Sequence, residues 1–400
     1  MRRLSNRVQH IKPSATLAIT AKAAEMRAAG KSIISLSVGE PDFETPKAAR
    51  EAGIEAINSG FTRYTAVAGI PALRQVIAEK FKRDNDLDYS ADDILVSTGG
   101  KQCIYNLLMA VINPGEKAII PAPYWVSYPD MVKLAEGTPV IVPTTSEADF
   151  KITAAQLDKV LCPHCKVLFL NSPSNPTGMV YSAEELKAIG DVVRKHPDLL
   201  VATDDMYEKI LFDGKTFATF AQVNPDLKDQ TITFNGVSKA FCMTGWRIGF
   251  CAGPSDIIKA MTKIQGQSTS NPNAIAQKAA LAALTGPTDE LEEMVATYET
   301  RRGWLVDAIN AISGMHAIMP DGAFYVFPSV ENWIGRSTPS GIELTDDVVI
   351  CEWLLEETGV ALVPGTAFGS PGHVRFSYAV SQDTLEDAVS RIAKAAASLT

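Results

Sequence analysis

"TITFNGVSKAFCMTGWRIG", residues 231–249, opens as a short β-rich run and turns at once into a loop that holds a single lysine, Lys239. A lysine usually carries its charge to water, so one set between a strand and the Gly245-Trp246-Arg247 turn needs a partner or a task. The strand belongs to a series. "ILVST" (94–98), "KAIIP" (117–121), "TPVIVP" (138–143), "KVLFLN" (166–171) and "LLVATD" (199–204) precede it. Segments with helical spacing lie between them, among them "GKQCIYNLLMAVI" (100–112) and "SAEELKAIGDVVRKH" (182–196), the second opened by the capping-box pair Ser182 and Glu185. Apolar strands alternating with helices predict an α/β fold whose mostly parallel central sheet is covered by helices on both faces. In such a sheet ligands bind beyond the carboxyl ends of the strands, and function is sought there.

The pattern changes after about residue 286. "TDELEEMVATYETRRGWLVDAINAI" (288–312) reads as one long helix, short strands such as "GAFYVFP" (322–328) and "HVRFSY" (373–378) follow, and a last helix is expected over 382–398. A chain of 400 residues is long for a single core. The expected division is a large domain over residues 46–286 and a smaller α+β domain made of residues 1–45 and 287–400, joined by the long helix. The net charge of −9 and the absence of any basic run longer than Arg2-Arg3 or Arg301-Arg302 disfavour nucleic acid and anionic membrane as partners. No apolar core of signal-peptide length opens the chain and no run of about 18 apolar residues occurs, so a soluble cytoplasmic protein is expected. The six cysteines do not form a disulfide framework in a chain this long. "CPHC" (162–165) reads either as a redox or metal motif or as two incidental cysteines at a loop-to-strand junction, and no second CxxC completes a zinc site.

Each strand end carries polar chemistry. "STGGKQ" (97–102) sets Gly99 and Gly100 between a strand and a helix, a tight turn or a phosphate site built from backbone amides. It is not a Walker A loop, which would need Gly at Leu95 and Ser or Thr at Gln102. "PAPYWVSYP" (121–129) offers Tyr124 and Trp125, for packing or for stacking on a planar ligand. "NSPSNPTG" (171–178) offers the amides of Asn171 and Asn175, and Asn175–Pro176 is a candidate cis bond. "ATDDMYEK" (202–209) offers Asp204, Asp205 and Tyr207. The five histidines are scattered, so a carboxylate facing a buried cation is favoured over a metal pair. Arg247 suits phosphate. Lys239 becomes nucleophilic only if burial and nearby cations lower its pKa. "GVSKA" is not a nucleophile elbow, because Ala240 stands where the last Gly belongs. Together these groups outline one ligand: a glycine turn and an arginine for a phosphate, a tryptophan for a flat ring, a carboxylate for a protonated ring nitrogen, a tyrosine and an asparagine for a phenolic oxygen, and a lysine for an aldehyde. That ligand is pyridoxal 5′-phosphate.

The ordered set "YTAVAGIPALR", "STGGKQ", "NPTG", "DDMY", "SKAFCMTGWRIG" and "VRFSYA" resembles the class-I, fold-type-I pyridoxal-phosphate aminotransferases, and most of all the bacterial aspartate aminotransferases of the gamma subgroup. The likeness runs from "IKPSAT" (11–16) to "VRFSYA" (374–379). It implies that Lys239 is the covalent anchor of the cofactor and the acid–base group of the reaction. It implies that Asp204 faces the ring nitrogen, that Tyr207 and Asn175 face the ring oxygen, and that Trp125 stacks on the ring. Gly99, Gly100, Lys101 and Arg247 would form the phosphate cup, the first three through backbone amides. Tyr64 would reach the phosphate of a neighbouring subunit, which implies a homodimer with active sites at the subunit interface. Arg375 would clamp the substrate α-carboxylate, and Gly39 in "SVGEPDF" would lie in a loop that closes over substrate. Gly236 stands three residues before Lys239, where the family often has a serine.

The implied activity moves the amino group of aspartate to 2-oxoglutarate in two half-reactions, with other amino acids and 2-oxo acids as related substrates. Relatives with the N-terminal motif also transaminate prephenate to arogenate, and Lys12 in "HIKPSAT" is the candidate contact to the second carboxylate, or else a solvated lysine before Pro13. The alternatives are an aromatic, alanine or kynurenine aminotransferase, a β-elimination lyase of the same fold, or a regulator that keeps the lysine without turnover.

Overall fold

The computed structural model describes residues 4–11 and 15–400. The strands are β1 (Ile34–Ser35), β2 (Ile94–Ser97), β3 (Lys117–Ala122), β4 (Thr138–Pro143), β5 (Cys165–Asn171), β6 (Leu200–Asp204), β7 (Thr231–Gly236), β8 (Gly249–Ala252), β9 (Tyr325–Val326), β10 (Val360–Ala361), β11 (Val363–Pro364) and β12 (Val374–Ser377). Seven of them form the main sheet in the order β2-β8-β7-β6-β5-β3-β4. All pairings from β7 through β4 are parallel, and β8 runs antiparallel to both β2 and β7.

The apolar runs build this sheet because alternate residues of each strand enter opposite faces. Val167 and Phe169 of β5, with Leu200 and Ala202 of β6 and Ile232 and Phe234 of β7, pack on one side. There they meet the helices Gly100–Val111, through Leu107 and Leu108, and Ser255–Ser268, through Ile258 and Met261. Leu168, Leu170 and Val201 face the other side, under Leu186, Ile189 and Val193 of the helix Ala183–Val193. Farther along that side, Ile94, Val96 and Phe250 pack beneath Leu73, Ile77 and Phe81 of the helix Pro71–Asn85. Burying one such side chain is worth about 1.5–3 kcal/mol, which explains the continuous apolar runs of β2 and β5, whereas β7 sets the buried polar Thr231, Thr233 and Asn235 between its apolar residues. The predicted start of the helix Ala183–Val193 is present, with Ser182 Oγ accepting from the Glu185 amide and Glu185 reaching back to the Ser182 amide.

The remaining strands are short. β1 pairs in parallel with β10, so the N-terminal segment lies beside the C-terminal part of the chain, and β11, β12 and β9 form a small antiparallel sheet. These elements share a core with the long helix Asp289–Asn310 and the helix Gln382–Ala396, built around Tyr298, Phe324, Tyr325, Trp333 and Phe376. Tyr207 and Ala240 from the large-sheet segments enter the same core, which couples the two parts of the chain beside the strand ends.

Two features differ from the sequence reading. β8 is an extra strand, four fully buried residues directly after the "GWRI" turn. Among the described residues the cis bonds are Ala122–Pro123 and Ser172–Pro173, so Asn175–Pro176 is trans.

Candidate active site

The antiparallel course of β8 explains how the opening stretch is folded. Gly249, the first residue of β8, pairs with Ser97 at the end of β2 and with Gly236 at the end of β7. The loop carrying Ser238, Lys239 and Arg247 therefore leaves β7 and returns to the same carboxyl edge of the sheet where the Gly99–Gly100 turn begins. The approach is close: a Cβ on Gly249 would lie 2.2 Å from the Gly100 nitrogen. Gly99 caps the helix Gly100–Val111 at φ 87°, and a Cβ there would lie 2.4 Å from a guanidinium nitrogen of Arg247. Arg247 itself sits at φ 59°, a left-handed conformation that costs a side-chain-bearing residue about 1–2 kcal/mol. Its guanidinium is held by the Thr244 carbonyl at 2.9 Å and the Thr98 carbonyl at 3.4 Å, over the amino end of that helix. A helix N-terminus, two glycines and an arginine without a carboxylate partner among the described residues make an anion site.

A cavity of about 370 Å³ opens from this point across the ends of β5, β6 and β7, lined by Gly39, Gly100, Lys101, Trp125, Asn175, Asp204, Tyr207, Ser238, Lys239, Arg247, Tyr325 and Arg375 among others. All the site residues predicted within the described chain line it or adjoin it, with the exception of Tyr64. Lys239 is half-buried and donates from Nζ to the carbonyl of Gly39. Burial of its amine end, then the Arg375 guanidinium and to a smaller extent Arg247, bring its pKa down from 10.5 to about 8, against the opposing pull of Glu40 and Asp204. Arg375, two hundred positions from Asn175 in the chain, thus does more to the lysine than the nearby Arg247 does.

Asp204 is buried at the end of β6. Its Oδ2 accepts from the hydroxyl of Tyr128 at 2.6 Å, while Oδ1 has no hydrogen-bond partner among the described residues. Burial pushes the carboxyl above its ordinary range. An ionised carboxylate with one empty oxygen at the wall of a cavity is stable only opposite a donor or a cation. Tyr128 stacks on Phe169 at 4.6 Å and meets Trp125 edge-on at 5.4 Å, so the aromatic that fixes Asp204 also sets the tryptophan. Backbone and amide groups connect the strand ends: Asn171 donates to the Asp204 carbonyl at 2.8 Å and accepts from the Asn175 amide N–H at 2.8 Å. Asn175 Oδ1 accepts from Arg375 at 2.8 Å, so the group it has left to offer a ligand is its NH2.

Arg375, on β12, is buried. Its other terminal nitrogen donates to the Ser37 carbonyl at 2.6 Å, and its plane lies over the rings of Tyr325 and Phe368. No carboxylate of the described residues pairs with it. Tyr207 shares a 2.8 Å hydrogen bond with Tyr325, and burial raises the pKa of both phenols, so both stay protonated. Lys101 places its ammonium 5.0 Å from the Trp125 ring centre. Gly236 packs against Gly249, and Ser238 stands at the cavity wall instead. Tyr64 is 91% exposed and does not line the cavity, and Lys12 lies outside the described residues. Tyr128 and Tyr325 were not recognised from the sequence. The three-residue spacing of Trp125 and Tyr128 was a faint signal for the first, and nothing local pointed to the second.

Residues 31–392 match the family described as aminotransferase class I and II. The chain is 53% identical over 392 residues to the aspartate/prephenate aminotransferase of Nitrosomonas europaea, covering 98% of this chain and 99% of that one. It is 48% identical over 390 residues to the aspartate aminotransferase of Geobacillus stearothermophilus, covering 98% of each. Its fold superposes on the crystal structure of the aspartate aminotransferase from Rhizobium meliloti with a TM-score of 0.97, at 44% identity over the full length of both chains. On the Thermus thermophilus aspartate aminotransferase with maleate the TM-score is 0.92, at 43% identity, covering 99% of this chain and 100% of that one. The chain belongs to the class I and II aminotransferases. It is an enzyme of the α/β aminotransferase fold, and its similarity to bacterial aspartate and aspartate/prephenate aminotransferases extends over nearly its whole length. Enzymes of this class act on amino and 2-oxo acids with pyridoxal 5′-phosphate. Among the described residues no helix is long and apolar enough to cross a membrane, and no group of three or more His, Cys, Asp or Glu is placed to hold a metal ion.

Proposed function

We propose that this chain is an aspartate aminotransferase that passes the amino group to 2-oxoglutarate, accepts prephenate as a second oxo acid, and works as a cytoplasmic homodimer with pyridoxal 5′-phosphate. The observation that carries the cofactor assignment is the empty Oδ1 of buried Asp204 in the same cavity wall as Lys239. A protonated ring nitrogen is the partner that such an oxygen lacks. The other residues fit the same group. Lys239 would hold its aldehyde carbon, Trp125 would face its ring, and the Asn175 NH2 and the Tyr207 hydroxyl would donate to its ring oxygen. Arg247 and the amides at Gly99, Gly100 and Lys101 would hold its phosphate.

When bound, the cofactor supplies a conjugated ring that accepts the electron pair left at the substrate α-carbon. The chain's own groups do the rest. Lys239 Nζ, with a pKa of about 8, is partly neutral at physiological pH and would take the α-proton and hand it on within the same half-reaction, and would deliver a proton to the α-carbon of the new amino acid in the second half. Asp204 stays ionised and holds a proton on the group facing it. Arg375 clamps the α-carboxylate with a guanidinium that has no other anion among the described residues, and its fixed plane orients the Cα–H bond. The Gly39 carbonyl, which accepts from Lys239 Nζ, lies where it would receive the lysine amine once substrate has released it, and the Gly39 loop would close over the bound acid.

Aspartate is favoured as donor by the activity named for the two curated relatives and by the maleate, a C4 dicarboxylate, in the Thermus thermophilus structure. Prephenate is favoured by the Nitrosomonas europaea relative. Lys12 is the proposed contact to the second carboxylate. The exposure of Tyr64 suits a residue that completes the phosphate site of a partner subunit. The division into a large domain over 46–286 and a small one of 1–45 and 287–400 gives the closing motion its two bodies. The test is the visible absorption of the holoenzyme, with aspartate added first and 2-oxoglutarate or prephenate second. A band that shifts with donor and reverts with each acceptor is expected, and Lys12→Ala should lose dicarboxylate acceptors while keeping phenylpyruvate. Reversion by phenylpyruvate or pyruvate alone would refute the substrate assignment.

A further inference from the structure

The "CPHC" segment is not used by the transamination site. Cys165 opens β5 at its amino end, and the cavity lies beyond the carboxyl end at Asn171. The strand separates the two by roughly 20 Å at about 3.3 Å per residue. The segment is a built turn. The Cys165 amide donates to the Cys162 carbonyl at 2.9 Å, with Pro163 in the position that favours the turn. The turn is tied to the neighbouring strand by the Lys117 amide, which donates to the His164 carbonyl at 2.8 Å. The two sulfurs lie 3.4 Å apart, inside van der Waals contact, and both cysteines are free thiols. Lys117 Nζ stands 3.7 Å from Cys162 Sγ. Cys162 is half-buried and open to a small molecule, whereas Cys165 is buried. Among the described residues no third ligand completes a metal site here.

We propose that Cys162 and Cys165 form a thiol–disulfide exchange site that takes low-molecular-weight disulfides, with Cys162 as the attacking thiol and Cys165 as the resolving one. The asymmetry of the pair supports the order. Hydrogen bonding from Cys165, then the His164 amide and Lys117, hold the Cys162 thiol below its usual range, while burial raises Cys165. The Cys162 thiolate attacks one sulfur of the incoming disulfide, the S–S bond breaks, and one thiolate leaves as Cys162 becomes a mixed disulfide. Cys165 then gives up its proton to solvent and attacks the Cys162 sulfur. The second small thiol leaves and the Cys162–Cys165 bond remains. The protein loses two electrons and two protons, and the small disulfide is reduced to two thiols.

The test uses the holoenzyme, anaerobic, with glutathione disulfide, followed by acid quench, alkylation and peptide mass spectrometry. The expected product is a peptide with Cys162 and Cys165 joined and both glutathiones released, with transamination unchanged. Cys165→Ser should stop at a glutathione adduct on Cys162, Cys162→Ser should lose the reaction, and Lys117→Gln should shift its pH midpoint upward. The proposal is overturned if Cys162 and Cys165 stay alkylatable, if the wild type stops at a stable Cys162 adduct, or if modification falls first on Cys242.

Discussion

The bond between Tyr128 and Asp204 offers a sharp perturbation, because Tyr128→Phe deletes one oxygen and little else. The stacking of the ring on Phe169 and its edge contact with Trp125 survive the change. What is lost is a 2.6 Å hydrogen bond from a buried phenol to a buried carboxylate. A hydrogen bond to a charged group is worth about 1.5–3 kcal/mol, and at about 1.4 kcal/mol per tenfold this caps the slowing at roughly 10- to 100-fold. The direction with pH follows from the same bond. Burial already raises the proton affinity of Asp204, the Tyr128 hydroxyl opposes that, and its removal lets the affinity rise further. The acidic limb of the rate profile therefore moves to higher pH in the variant. The assay is the half-reaction of the holoenzyme with aspartate in stopped flow, across pH, with cofactor content and the urea midpoint measured alongside. A variant that retains cofactor and shows both the wild-type rate and the wild-type acidic limb would refute the role given to this bond.

Other outcomes follow from the same geometry. Arg375→Lys keeps the charge but loses the two-pronged clamp, at a cost of about 2 kcal/mol, or roughly thirtyfold in kcat/KM. Because every substrate carries an α-carboxylate, the loss should be equal for donors and acceptors in steady-state assays, and a loss confined to aspartate would count against the assignment. Asp205 is buried, with Oδ2 unpartnered among the described residues, and burial above all raises its pKa from 3.8 to about 7. The folded apoprotein then binds one more proton than the unfolded chain between those values, so its stability falls as pH rises through that window. Asp205→Asn should remove this slope, and urea midpoints at about pH 4 and about pH 8 that differ equally in both proteins would contradict it.

Much of the site was legible because its residues sit where a local signal ends. Asp204, Asn171 and the Gly99–Gly100 turn each follow a short apolar run, and Lys239 follows β7 after two residues, so a strand prediction places all of them along one edge. β8 was not legible, since four buried residues after a turn carry neither the length nor the alternation of a strand signal. Yet its antiparallel return is what brings Arg247 back to Gly99. The pairings that tune the site were equally hidden. Tyr128 and Asp204 are 76 positions apart, Tyr207 and Tyr325 118, and Asn175 and Arg375 200, and such contacts are set by tertiary packing, within the large-sheet part for the first pair and between the two parts of the chain for the others, rather than by local sequence. For the same reason the action of Arg375 on Lys239, stronger than that of Arg247, was hidden in the sequence.

The central claim is that Lys239 carries the α-proton. Lys239→Ala, reconstituted with pyridoxal 5′-phosphate and incubated with aspartate in deuterated water, tests it by the rate at which deuterium enters the substrate α-carbon. The account predicts that the variant binds cofactor and aspartate while exchange falls by about 10²- to 10⁴-fold, the span general acid–base catalysis supplies. Exchange at the wild-type rate in the cofactor-loaded variant would contradict it.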